Sequence, residues 1–152
     1  MIARHTALLR GLCCLAVSMC SPKAALTPEA CVQADPALLV EDLGHPDRQS
    51  RACALLEVMG LSAVPNLVEF LRRARADKGT STRQTEMALY MVGRLAGAAV
   101  SALPEVRAIY EFSRDNDVRR QAMWAIGQLT AASRDERVFE ESMRHLRYHA
   151  TP

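Results

Sequence analysis

Aromatic residues are scarce, with three Phe, three Tyr and one Trp in 152 residues. A β-sandwich or barrel fills its pleated faces with aromatic and β-branched side chains, so this shortage disfavours both. Lysine is almost missing, at two residues against 17 arginines, and the formal net charge is only +2. So small an excess argues against the strongly basic surface that marks nucleic-acid binders. What the chain does have is apolar bulk. Hydrophobic residues make up 49% of it, dominated by Ala and Leu, which suits close helix packing. The length is that of one domain with a modest core.

The N-terminus reads as an export signal over residues 1–20. Arg4 and Arg10 form a basic start, with no acidic residue before Glu29. An apolar run from Gly11 to Met19 follows, closed by Cys20, Ser21 and Pro22. That run is about half the ~20 residues of a membrane-spanning helix, so cleavage is expected rather than a permanent anchor. Besides an uncleaved or cytosolic start, two processing routes are open. Cleavage after Cys20 gives a soluble exported protein in the periplasm or outside the cell. Val17-Ser18-Met19-Cys20 also resembles a bacterial lipoprotein box, in which Cys20 is lipidated and holds the protein at a membrane, although Met19 replaces the usual small residue.

Removing residues 1–20 takes away two arginines and leaves 17 basic against 17 acidic residues, a mature charge of zero. It also leaves Cys31 and Cys53 as the remaining cysteines. In an oxidising compartment these are either a disulfide or two packed thiols.

Residues 21–34 form a connecting segment with a short helix opened by Thr27-Pro28. From Asp35 to Ala132 helical patterns alternate with turns, and Pro36, Pro65 and Pro104 stand in first turns, where a missing N–H costs nothing. The helices are expected over about 35–43, 47–59, 64–74, 81–96, 104–113 and 117–129. Within them one apolar stripe recurs. Ala52, Leu55, Leu56 and Met59 have the spacing of Ala88, Met91, Val92 and Leu95, and of Ala122, Ala125, Ile126 and Leu129. The offsets are 36 and then 34 residues. A two-helix unit cannot bury both faces alone, so units with this period are expected to stack. Residues 133–152 are expected to form a capping helix and tail. Ser133 to Glu136 reads as its capping box, and Val138, Phe139, Met143 and Leu146 as the face that covers the stack.

Several of these segments resemble HEAT repeats. Ala63-Val64-Pro65-Asn66-Leu67-Val68 and Ala102-Leu103-Pro104-Glu105-Val106 are similar to that family's first-helix signature. Asp117 to Ala122, followed by Ala125-Ile126-Gly127, is similar to its turn and second helix. The resemblance implies an all-α fold: a short right-handed α-solenoid of about three HEAT-like helix pairs plus a C-terminal capping helix. It also implies a protein-binding or scaffold role, with a protein as partner and no cofactor, and the export signal puts that role in a Gram-negative envelope.

Tyr90 and Trp124 fall at equivalent positions, which in that family lie along an inner surface, either facing a groove or packed between layers. With Arg94 and Arg120 they form the expected partner-binding set. Arg119 and Arg120 are also expected to pair with Asp115, Asp117 or a neighbouring repeat. Residues 75–82 are surplus in the second unit and read as an edge loop. A catalytic centre is not expected: no nucleophile, base and orienting group assemble by motif. Two other classes are carried forward. One is a cytosolic HEAT-like nucleic-acid-binding protein. The other is a small metal-binding or enzymatic helical protein, with Glu141, His145 and His149 on one face of the last helix as candidate zinc ligands.

Overall fold

A computed structural model describes residues 34–77, 80–133 and 136–149 of the chain. The expected signal at 1–20, with Cys20, and the helix near Thr27-Pro28, with Cys31, lie outside the described residues. Those residues are all-α, without a strand. Seven α-helices follow one another: α1 (Pro36–Asp42), α2 (Pro46–Met59), α3 (Val64–Ala76), α4 (Thr82–Leu95), α5 (Leu103–Phe112), α6 (Asn116–Ser133) and α7 (Glu136–His149). Short 3-10 segments, Gly60–Ala63 and Ala96–Ala102, join α2 to α3 and α4 to α5.

Helix starts follow from side-chain chemistry. Proline occupies the first turn of α1, α2, α3 and α5, where its lost donor has no helical partner. The Asp35 carboxylate accepts the Ala37 N–H at 2.9 Å and caps α1. Asp115 does the same for α6, accepting from Asp117 N–H at 2.8 Å and Val118 N–H at 3.2 Å.

The helices pack in two ranks. Consecutive helices pair, α1 with α2, α3 with α4 and α5 with α6, while α1, α3 and α5 touch in series and so do α2, α4 and α6. Helix α7 lies against α6, and against α5 through Arg107. One core runs between the ranks. The recurring stripe supplies much of it: Ala52, Leu55, Leu56, Ala88, Met91, Val92, Ala122, Ala125, Ile126 and Leu129 are all buried. Leu67, Leu71, Leu103, Val106 and Ile109 come from the facing helices. Each fully buried Leu or Ile contributes about 1.5–3 kcal/mol against exposure.

Both 3-10 segments begin with a positive φ. Gly60 has φ 56° and ψ −120°, and Ala96, 36 residues later, has φ 44° and ψ −112°. The chain therefore turns in the same way at two sequence-equivalent places. By length and composition Pro46–Ala76 and Thr82–Phe112 are apolar enough to cross a membrane, but each is divided at one of these turns into two separate helices. Glycine adopts this backbone freely and alanine does so with strain. Ala96→Gly is therefore expected to stabilise the fold by about 1 kcal/mol, read as a raised urea midpoint with an unchanged slope. A lowered midpoint would mean that the Ala96 methyl packs too well to lose.

Two expectations change. Helix α6 does not stop at Leu129 but continues to Ser133, with the Thr130 hydroxyl donating back to the Ile126 carbonyl at 2.8 Å. Ser133, expected to open the capping box of α7, instead donates to the Thr130 carbonyl in the last turn of α6; Arg134 and Asp135 lie outside the described residues. Helix α7 also lies rotated from its expected seat. Ser142 is buried and Leu146 packs on the core, while Phe139 is 50% exposed. Arg107 of α5 explains this: it donates to the buried Ser142 hydroxyl at 2.5 Å and also meets Glu141, which stays exposed, at 3.1 Å.

Candidate interaction surface

The four residues expected to bind a partner lie on α4 and α6. Tyr90 and Arg94 are one turn apart on α4, and Arg120 and Trp124 one turn apart on α6. The two aromatic rings stack, with centroids 5.5 Å apart and planes inclined by 14°. An offset pair of this kind adds about 0.5–1.5 kcal/mol beyond its buried area. Tyr90 is partly buried, while Trp124 keeps 37% of its surface exposed. The pair is thus neither wholly core nor wholly free, and one indole face is anchored while its rim meets solvent.

Gly93 makes the arrangement fit. A Cβ there would fall 2.3 Å from Trp124 Cζ3, so only glycine lets the ring lie on the α4 backbone. This contribution is missed by a reading of charged and aromatic residues. Its signal is a glycine in the interior of a strongly periodic helix.

The two arginines are held differently. Arg94 donates to Glu57 of α2 at 2.8 Å, and this bond, with the carboxylate's charge, holds the guanidinium still more firmly protonated. Arg120 pairs within its own helix with Asp117 at 2.8 Å, as expected for a residue near a helix start. Arg119 lies over the Tyr110 ring, 5.6 Å from its centroid. Exposed Val58 stands one turn beyond Ala54, the α2 equivalent of Tyr90 and Trp124, and adds apolar surface to the same rank.

Cys53 sits on α2, partly buried against the core; its expected partner Cys31 lies outside the described residues. Burial, then the nearby Glu57 carboxylate, pushes its thiol above the ordinary cysteine value. The neutral thiol is therefore the favoured form in the folded state. Its contribution to stability is present at neutral pH and is lost as pH rises through the raised value. In the reduced protein, alkylation of Cys53 at pH 8 is expected to lag behind that of an unfolded peptide containing it, measured by peptide mass mapping, and Glu57→Gln to narrow the gap. Equal rates would contradict this environment.

Of the zinc candidates, Glu141 is engaged by Arg107, and the side chains of His145 and His149 lie outside the described residues. A different acidic group does come together. Glu86, Asp115 and Asp117 bring carboxylate oxygens within 4.8 Å of one another. Asp115 is already used as the cap of α6 and Asp117 is paired with Arg120, so a structural account covers two of the three. The expected edge loop at 75–82 is shorter in the structure, since Arg75 and Ala76 end α3 and Thr82 begins α4. Beside the acidic group these helix ends open onto a cavity of about 500 Å³ with Arg75, Asp77 and Thr82 on one side and Phe112 and Asp115 on the other.

The fold and the surface together define a class: an all-α protein of paired, ranked helices carrying one stacked aromatic pair on its second-helix rank. No family model, curated protein or solved structure matches the chain.

Proposed function

We propose that this chain is an exported, non-catalytic interaction module: a short right-handed α-solenoid of about three HEAT-like helix pairs, capped by α7, that docks a segment of a protein partner along the α2, α4 and α6 rank. The observation that carries this reading is the Tyr90–Trp124 stack, formed between successive second helices by residues at matching positions 34 apart. A partly exposed indole stacked on a tyrosine, with arginines one turn away on both helices, has the make-up of an interface anchor.

The stacking geometry has further support in the polar links between helix pairs. Arg72 reaches Glu105, Arg83 reaches Gln49, Arg94 reaches Glu57, and Arg107 reaches Glu141 and Ser142, across sequence separations of 33, 34, 37, 34 and 35 residues. These separations match the period of the apolar stripe. Three of these links are ion pairs and two are hydrogen bonds to neutral acceptors; an exposed ion pair such as Arg94–Glu57 is worth about 0–1 kcal/mol, so these links set register more than stability.

The test uses the single tryptophan as reporter. Peptides selected from a random library against the wild-type protein are titrated while indole emission is followed. The expected result is a saturable emission shift for wild type and at least a tenfold weaker affinity for Trp124→Ala, measured by calorimetry because that variant lacks the fluorophore. Equal affinity overturns the aromatic anchor. Export is tested by the intact mass of the protein from a bacterial envelope. An N-terminus at Ser21 supports soluble export, a diacylated Cys20 supports anchoring, and retention of Met1 overturns both.

A further inference from the structure

Helices α4 and α6 carry the same stripe at an offset of 34, so each α6 residue has a counterpart on α4. On α4, Leu89 has no exposed surface and Gly93 is buried, and Trp124 of the adjoining α6 lies over Gly93. Their counterparts on α6 are Met123 and Gly127. Met123 is 46% exposed, and a Cβ built on Gly127 would meet nothing within 4 Å. Helix α6 therefore presents outward a copy of the surface that α4 uses to hold a neighbouring helix.

The adjacent helix extends this end. Phe139 and Met143 of α7 stand one turn apart in a shallow groove rimmed by Glu140, Arg144 and Arg147. Phe139 is half exposed, and none of the three rim charges has an ion pair among the described residues. We propose that this end, formed by α6 and α7, is a self-association surface whose occupant is the same end of a second copy, related by a two-fold axis.

Charge favours this occupant. Two α7 helices laid antiparallel about Met143 set Glu140 of each opposite Arg144 or Arg147 of the other, so every pair forms twice. The apolar Phe139 and Met143 then meet their own image, with the exposed Met123 of α6 at the same end. Size agrees as well. Helices of 18 and 14 residues are about 27 and 21 Å long, and their shared outer face covers about 500 Å² per copy, or about 1,000 Å² in all, the lower bound for a specific interface. The pairing is consequently weak and reversible.

Sedimentation equilibrium of the purified protein tests this between about 1 and 100 µM, where pairing worth about −6 to −8 kcal/mol changes occupancy. The expected result is a weight-average mass that rises from monomer to dimer and stops there. Phe139→Asp and Met123→Asp are expected to hold the mass at that of the monomer, with helix content unchanged. Glu140→Arg, a surface change that leaves the fold intact, is expected to weaken pairing at least fivefold, and the double variant Glu140→Arg with Arg144→Glu to restore it. A monomer throughout, a dimer indifferent to Phe139→Asp and Glu140→Arg, or growth beyond dimer each overturns the proposal. Binding of an amphipathic helical peptide by a strictly monomeric protein would assign this end to another chain instead.

Discussion

Leu129→Ala is expected to lower the unfolding free energy by about 3 kcal/mol, the middle of the range for a buried leucine whose site collapses only in part. Leu129 has no exposed surface, and its helix, α6, touches α4, α5, α7 and the second 3-10 segment. Neighbours supported from so many directions cannot all move into the space left behind. The residual cavity then adds to the lost transfer energy. Equilibrium urea unfolding followed by circular dichroism measures the effect as a shifted midpoint with constant slope. A loss under about 1 kcal/mol would show that the α6 junction is more plastic than its packing implies. A changed slope would mean that the helix pairs unfold separately.

The second large effect is a pair of identical substitutions with opposite outcomes. Gly93→Ala and Gly127→Ala sit 34 residues apart at matching points of α4 and α6. Inside a helix, alanine is favoured over glycine by about 1 kcal/mol. At Gly127 nothing lies within 4 Å of the new methyl, so that gain is realised in full. At Gly93 the methyl would meet Trp124 Cζ3 at 2.3 Å and Cε3 at 2.9 Å, separations that carbon atoms do not tolerate. The ring has to leave its seat and give up its stack on Tyr90. Overpacking of this kind costs about 1–3 kcal/mol, which outweighs the propensity gain. Gly93→Ala is thus expected to be less stable than wild type, with tryptophan emission shifted to the red, and Gly127→Ala more stable with emission unchanged. Stabilisation by both substitutions would refute the packing of Trp124 on α4.

Much of the helical order was legible beforehand, and for a local reason. Pro36, Pro65 and Pro104 set helix starts through a backbone effect that needs no partner, and the Ala52, Ala88 and Ala122 stripes announced which face turns inward. Tyr90 and Trp124 were brought together because both obey that same period. Features that depend on a specific contact between distant helices were not legible. Nothing near Ser142 marks it as buried; it faces inward because Arg107, 35 residues earlier, needs an acceptor. Phe139 turns outward for the same cause, against the pull of its own apolar character. Gly93 and Glu57 carried no chemistry of their own, and each matters only through the side chain that another helix places on it.

The near-constant span of the polar links has a consequence for chain length. Arg83 meets Gln49 and Arg107 meets Glu141 at the same span of 34 residues. One residue inserted inside α4 rotates all that follows in that helix by about 100° and carries Arg94 away from Glu57 and Tyr90 away from Trp124 together. The same residue added beside Thr80, which belongs to no helix, leaves both meetings intact, for well under 1 kcal/mol of closure entropy. Gains and losses of sequence are therefore sorted by place: single residues are absorbed between helices, whereas inside a helix they swing the guanidiniums away from their acceptors.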